Sequence, residues 1–155
     1  MRVGWGIDAH RFGDPPLLLA GVVVDRDRGL AGTSDADVVA HAVADALLGA
    51  AALGDLGAHF PSSDPRWHGA DSMALLQTVV EIVTEAGFRP EFVDVTVIGE
   101  TVKVAPHRET IRAALSKVLG LATEAVSVKA TTTDGMGFLG RDEGMAAVAV
   151  AVLSV

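Results

Sequence analysis

The chain has 155 residues, of which 50% are apolar and 5% aromatic, with no cysteine and a formal charge of −8. That length suffices for one domain with its own core, and the missing cysteines exclude disulfides, thiolate ligands and a cysteine nucleophile. The acidic balance argues against a nucleic-acid partner, which needs a basic surface, and no apolar run is long and uncharged enough to span a bilayer. No signal-peptide pattern precedes the strand-like run that begins at Arg2, so a cytoplasmic protein is expected.

Arg2 to His10 and Leu17 to Val24 read as strands separated by the Asp14-Pro15-Pro16 turn. Asp25 to Gly32 is charged and glycine-bearing, as a loop is. Ser34 is placed to cap a helix, with Asp37 closing a capping box. Val39, Val43, Ala46, Leu47 and Ala50 then form an apolar stripe, which predicts a helix from Asp35 to about Leu53. Gly54 to Gly69 reads as a long polar loop. A second helix is expected over Asp71 to Ala86, with Met73, Leu76, Val79, Val80 and Val83 inward and Gly87 as its stop. Val93, Val95 and Val97 alternate with polar residues in a strand from Phe92 to Ile98. A polar turn, Gly99 to Ala105, leads to a third helix from Pro106 to about Leu119. Val126 to Thr133 is a strand followed by a glycine-rich turn, and Gly144 to Val155 is a final strand, apolar on both faces. The order predicts an α+β fold in one domain, 1–155: a single mixed sheet with helices packed on one face. The other face is apolar with no helix left to cover it, which predicts self-association.

Three regions can carry chemistry. Asp37, His41 and Asp45 recur every fourth residue and share a helical face, while Asp8 and His10, two apart on a strand, point the same way. Asp8, His10 and His41 together would make an open three-ligand site suited to Zn²⁺, with Asp37 and Asp45 as acceptors for imidazole N–H groups. Spacing alone equally allows ordinary polar residues at strand and helix ends. The run from Lys129 to Phe138 passes from a strand into a glycine-rich turn. Its threonine hydroxyls and turn amides suit phosphate, and Asp134 can hold Mg²⁺ against phosphate oxygens. A β-branched strand closed by an Asp-Gly turn is the alternative. Lys103, just before the helix that Pro106 opens, is a generic anion site. Asp55, His59, Ser62, Ser63 and Asp64 either bind hydroxyls of a polar substrate or belong to a solvated loop. Arg141 and Glu143 can pair with each other or across a subunit contact.

RVGWGIDAH, SDADVVAHAVADALLGAAALGDLG, FPSSDP, VKVAPH and KATTTDGMGF…GRDEG, in that order over essentially the whole chain, resemble the 2-C-methyl-D-erythritol 2,4-cyclodiphosphate synthase family of non-mevalonate isoprenoid biosynthesis. The resemblance implies a homotrimer whose three sheets face each other, with active sites at subunit interfaces. It implies a phosphorus-oxygen lyase: the 2-phosphate of 4-diphosphocytidyl-2-C-methyl-D-erythritol 2-phosphate attacks the β-phosphorus, releasing CMP and a cyclic diphosphate. It assigns Zn²⁺ to Asp8, His10 and His41 and Mg²⁺ or Mn²⁺ to Asp134. Thr131, Thr132 and Thr133 match phosphate contacts, Thr132 and Thr133 being part of the catalytic set. Lys103 and Ala105 lie in the matching cytidine turn of the neighbouring subunit, and Asp55 and Gly57 match erythritol contacts. Thr33, Ser34 and Ser62 fall at substrate-facing positions. Phe138, Arg141 and Glu143 match the lining of a central cavity that holds an isoprenoid diphosphate in family members. The nucleophile is itself an anionic phosphate, so the absence of a protein nucleophile fits.

Four departures from the family pattern stand out. Thr33 replaces a histidine, Ser62 an aspartate and Asp134 a glutamate. Leu139-Gly140-Arg141-Asp142-Glu143-Gly144 replaces Thr-Gly-Arg-Gly-Glu-Gly, which sets a new carboxylate beside Arg141 and predicts weaker isoprenoid diphosphate binding. Thr33 and Ser62 motivate a second reading, a trimeric metal- and nucleotide-binding homologue with reduced or lost turnover. A zinc phosphohydrolase ranks third, because no water-activating base is evident.

Overall fold

The computed structural model describes residues 1–155. Strand β1 runs Arg2–Gly13, longer than expected, because it continues past His10 to pair with the short β4 (Gly29–Leu30). Leu17 to Val24 is not one strand. It folds into a hairpin, β2 (Leu17–Leu19) and β3 (Val22–Asp25), whose Ala20-Gly21 turn has φ of 49° and 72°. A left-handed pair makes a tight two-residue turn whose twist matches the strands on either side. The hairpin forms its own two-stranded sheet beside the mixed main sheet, and the α+β class with helices packed on that sheet holds.

Helix α1 is Val38–Ala51, and Asp37 rather than Ser34 is its N-cap, accepting from the backbone N–H groups of Val39 and Ala40. It ends at Ala52, which adopts a left-handed conformation and donates back to Leu48 and Gly49. The predicted loop after it contains a helical turn, α2 (Leu56–His59), capped by Asp55, and a single 3₁₀ turn at Pro65–Trp67, capped by Asp64. Helix α3 (Ser72–Glu85) leads to β5 (Arg89–Ile98). Pro106 lies in a 3₁₀ turn ahead of α4 (Arg108–Leu119), which stops at Gly120 with φ of 66°. Strand β6 (Val126–Thr131), a turn of helix α5 (Gly137–Gly140) and β7 (Gly144–Ser154) complete the chain.

The main sheet has the order β4-β1-β7-β5-β6 and is mixed: β5 and β6 are parallel, the other pairs antiparallel. One face packs on the helices through Val93, Val95, Val97, Ala147, Ala149 and Ala151, all fully buried. Leu47 and Leu48, buried from α1, each contribute about 1.5–3 kcal/mol by the usual transfer scale. The opposite face has no helix over it. The register stacks Val3 on Val152, Trp5 on Val150 and Ile7 on Val148 there, and Val3, Trp5 and Ile7 remain 63%, 60% and 50% exposed. No helix is long and apolar enough to cross a membrane.

Candidate active site

Two glycines let the site form. A Cβ on Gly4 would lie 2.0 Å from the Ala46 carbonyl oxygen, and one on Gly6 would lie 2.2 Å from that of Ala42. Without side chains at these positions, α1 lies directly on β1, its small residues Ala42, Ala46 and Ala50 facing the strand. Further along the same strand face, at the N-terminal end of α1, the gap widens to hold Asp8, His10 and His41. These three are the group placed to hold a metal ion, their ligand atoms all within 4.8 Å of one another.

Asp8 Oδ2 stands 3.0 Å from His10 Nε2 and 2.9 Å from His41 Nδ1. Each imidazole is oriented by its other nitrogen. His10 Nδ1 lies 2.8 Å from the Ala31 carbonyl oxygen, an acceptor, so this nitrogen carries the proton and Nε2 is left to face Asp8. His10 Nε2 is buried and has no other partner. His41 Nε2 lies 2.9 Å from Ser72 Oγ and 3.1 Å from Ser34 Oγ, and the Ser72 hydroxyl donates to Asp35 Oδ1. With its proton committed to Asp35, Ser72 accepts from His41 Nε2–H, and Nδ1 is free to face the cluster. Two imidazole lone pairs and a carboxylate oxygen therefore converge on one point, a donor set that fits a tetrahedral cation with a fourth position open.

The expectation that Asp37 and Asp45 serve as these acceptors is corrected. Asp37 is fully buried and accepts from the backbone N–H groups of Ala20, Gly21, Val39 and Ala40 at 2.7–3.1 Å. Asp45 accepts from Leu56 N at 2.7 Å. The residues that do the orienting, Ser72, Asp35 and the Ala31 carbonyl, carry no spacing signal relative to His41. Ser72 merely follows Asp71, which looks like a helix cap and is one.

The electrostatics follow from this geometry. Burial opposes ionisation of Asp8, but hydrogen bonds and charge from His10 and His41 outweigh it and hold the carboxyl well below the usual carboxylate range. Without a cation, a proton on His10 Nε2 hydrogen-bonds Asp8 and raises His10 above 6.5 against the opposing effect of burial; a bound cation would displace that proton and use the lone pair instead.

The triad opens into a cleft of about 220 Å³ that also includes Thr33, Ser34, Gly57 and Ser62, with Leu56, Phe60, Trp67 and Leu75 as an apolar wall. Phe60 and Trp67 meet edge to face at 5.1 Å. Asp55 does not line it; its carboxylate caps α2 at Ala58 N, 2.8 Å away. Lys103, Ala105, Thr131 and Thr132 line a second cleft, of about 430 Å³, with Gly99 and Pro106. Thr133 donates to the Met136 carbonyl at 2.6 Å, and Asp134 sits in the following turn at φ of 53°, its carboxylate 3.2 Å from Thr132 Oγ1. Within one chain these residues do not join the triad.

Phe138 and Glu143 line a third depression, of about 300 Å³, beside His10 and Arg11. Arg141 pairs with Glu143 at 2.8 Å. Asp142 does not sit against Arg141 as expected. It turns to Arg28, 2.9 Å away, and to Thr101, also at 2.9 Å, so the ground for expecting it to neutralise Arg141 is removed.

A family model described as the YgbB family matches residues 1–154. The chain belongs to the YgbB family. Among its members, the 2-C-methyl-D-erythritol 2,4-cyclodiphosphate synthase of Salinibacter ruber is 58% identical over 154 residues, 99% of this chain and 98% of that protein. The enzyme of the same name from Pseudomonas aeruginosa strain UCBPP-PA14 is 53% identical over the same shares. Among solved structures, a 2C-methyl-D-erythritol-2,4-cyclodiphosphate synthase in its CDP-bound form superposes with a TM-score of 0.90 at 32% identity, covering 99% of this chain and all of the other. The bifunctional IspDF of Campylobacter jejuni superposes at 0.95 with 40% identity over 98% of this chain, which spans 42% of that longer protein.

Proposed function

We propose that this YgbB-family chain, acting as one domain over 1–155, is a 2-C-methyl-D-erythritol 2,4-cyclodiphosphate synthase. Its substrate is 4-diphosphocytidyl-2-C-methyl-D-erythritol 2-phosphate. An oxygen of the 2-phosphate forms a bond to the β-phosphorus, the bond from that phosphorus to the bridging α–β oxygen breaks, and CMP leaves with that oxygen, which makes the enzyme a phosphorus-oxygen lyase. The observation that carries the reading is the triad of Asp8, His10 and His41 with its buried, otherwise unpartnered His10 Nε2.

Asp8, His10 and His41 would hold Zn²⁺. Asp134 offers a single exposed carboxylate, which suits a Mg²⁺ or Mn²⁺ that takes further ligands from substrate phosphates. When bound, such cations supply positive charge to phosphate oxygens, which the acidic chain itself lacks. The chain's own residues position the reacting groups. Thr33 and Ser34 present hydroxyls and backbone amides at the mouth of the cleft, Gly57 leaves room for the erythritol and Ser62 reaches it. The wall of Leu56, Phe60, Trp67 and Leu75 keeps water from competing with the 2-phosphate. Asp55 acts indirectly, by holding Gly57 through its cap on α2. Lys103, Ala105, Thr131, Thr132 and Thr133 bind the cytidine and its phosphates. Holding two anions in line is the main requirement, since the attacking group is already charged.

The two halves of this machinery lie in separate clefts of one chain. A homotrimer that buries the open face around Trp5 would bring the metal cleft of one subunit to the nucleotide cleft of the next. Phe138, Arg141 and Glu143 would then border the central cavity, where Arg141, paired to Glu143 through Nε alone, offers its remaining N–H groups to an isoprenoid diphosphate. The setting is the cytoplasm.

The test is CMP release from the diphosphocytidyl substrate with Zn²⁺ and Mg²⁺, with phosphorus NMR of the products. CMP together with a cyclic diphosphate, lost in His41→Ala, is expected. A folded zinc protein that releases no CMP would leave the nucleotide-binding homologue without turnover.

A further inference from the structure

Arg28 lies between β3 and β4, far in sequence from both the nucleotide cleft and α5. Its guanidinium is used on every side. Nε donates to Asp25 Oδ2 at 3.1 Å, Nη1 donates to Asp142 Oδ2 at 2.9 Å, and Nη2 donates to Thr101 Oγ1. Its flat face lies 4.2 Å from the centre of the Phe12 ring, which fixes the plane of the fork. Thr101 completes the ring by donating to Asp142, whose two carboxylate oxygens are each 2.9 Å from its hydroxyl. Asp142 holds this position with φ of 58°, in the left-handed region that aspartate enters more readily than most residues with a side chain.

The ring ties three separate segments together at the tip of the turn that begins at Gly99. That turn is one wall of the 430 Å³ cleft. Val102 and Val104 are buried and anchor its base, and Gly99 N donates to the Thr131 carbonyl at 3.1 Å. The Thr101 tip is held by Arg28 and Asp142, the Asp142 carboxylate accepting from both the side chain and the backbone of Thr101.

We propose that Arg28 and Asp142 are positioning residues for nucleotide binding: they clasp Thr101 and so set the wall of the cleft that carries Lys103, without touching the nucleotide. This rests on the reading of that cleft as the cytidine site. The clasp restrains the turn before the ligand arrives, so less ordering is left to be done on binding. Its loss weakens substrate and transition state alike, which raises KM and leaves kcat in place.

The experiment measures CDP affinity by calorimetry and steady-state kinetics for the zinc- and magnesium-loaded wild type, Asp142→Gly, Asp142→Asn, Arg28→Ala and the Arg28→Ala/Asp142→Gly double variant. Asp142→Gly relieves the backbone conformation while removing the clasp, so it is expected to fold. It should bind CDP about five- to tenfold more weakly, with KM raised by a similar factor and kcat unchanged. Asp142→Asn, which still accepts from Thr101 and tolerates a left-handed backbone, should recover most of the affinity. The double variant should be no worse than either single one. Wild-type affinity in Asp142→Gly, with the wild type binding CDP, overturns the clasp and leaves the cleft assignment standing. A wild type that does not bind CDP overturns the cleft assignment, and the clasp's role with it. A fall in kcat with KM unchanged also overturns the proposal, since the pair would then act on the chemistry.

Discussion

Asp8 Oδ2 and His41 Nδ1 are 2.9 Å apart although 33 residues separate them in the chain. They meet because β1 has no side chains at Gly4 and Gly6 where α1 crosses it. Gly6→Ala would place a Cβ 2.2 Å from the Ala42 carbonyl oxygen, a backbone atom that cannot swing aside. Helix and strand must separate. A loss of about 1–3 kcal/mol is expected from overpacking of this kind, read as a lower urea midpoint, together with reduced zinc content. Unchanged stability and metal content would show that the close approach is not what sets the triad.

Ser72→Ala tests the chain from Asp35 through Ser72 to His41. The substitution removes the acceptor that holds His41 Nε2–H and leaves Asp35 without its hydroxyl donor. Zinc affinity should fall by about 10–100-fold, the usual cost of losing such a support, while the fold persists. Competition with a fluorescent chelator measures it. Full affinity would assign the orienting role to Ser34 alone.

Burial pushes Asp37 up to about 6 from an ordinary value of 3.8, even though backbone N–H groups of Ala40, Gly21 and Ala20 oppose the shift. The sign is set by linkage. The folded state holds the proton more tightly than the unfolded one, so the contribution to stability is complete below about pH 3.8 and is lost as pH rises through about 6. Its full size is about 3 kcal/mol, at about 1.36 kcal/mol per unit of pKa difference. Asp37→Asn removes this dependence. The stability of wild type relative to Asp37→Asn, from urea unfolding, should therefore fall between pH 4 and pH 7. A difference that stays flat, or grows with pH, contradicts it.

Much of this was legible in the residues. The alternation that set Asp8 and His10 on one side of β1, and the apolar stripe of α1, both hold in three dimensions. Asp37 escapes the every-fourth-residue rule because that rule applies inside a helix, and Asp37 is the cap, with extended backbone at φ of −70° and ψ of 97°. Its side chain folds back over the helix start instead of lying beside His41. The β2–β3 hairpin was hidden because Leu17 to Val24 is apolar almost throughout, so Ala20-Gly21 did not stand out as a turn. Strand β4 is two residues long, too short for any period. Ser72 and Arg28 act across the fold, where only the tertiary structure shows their partners.

The division of the proposed site between subunits gives a complementation test. His41→Ala disables the metal cleft and leaves the nucleotide cleft intact; Lys103→Ala weakens the nucleotide cleft and leaves the triad intact. Each pure variant should be poorly active. If a site joins the metal cleft of one subunit to the nucleotide cleft of its neighbour, unfolding and refolding the two variants together creates mixed trimers. Wherever a Lys103→Ala subunit gives its metal cleft to the nucleotide cleft of a His41→Ala subunit, an unmutated site is rebuilt. Random assembly at equal amounts restores about a quarter of the sites, and CMP release should recover in that proportion. A site contained in one chain cannot be rebuilt by mixing, so activity no higher than the average of the two variants would place both clefts of a working site in the same subunit. Trp5→Glu, which charges the open sheet face, should abolish the recovery by keeping the subunits apart, with sedimentation showing monomers.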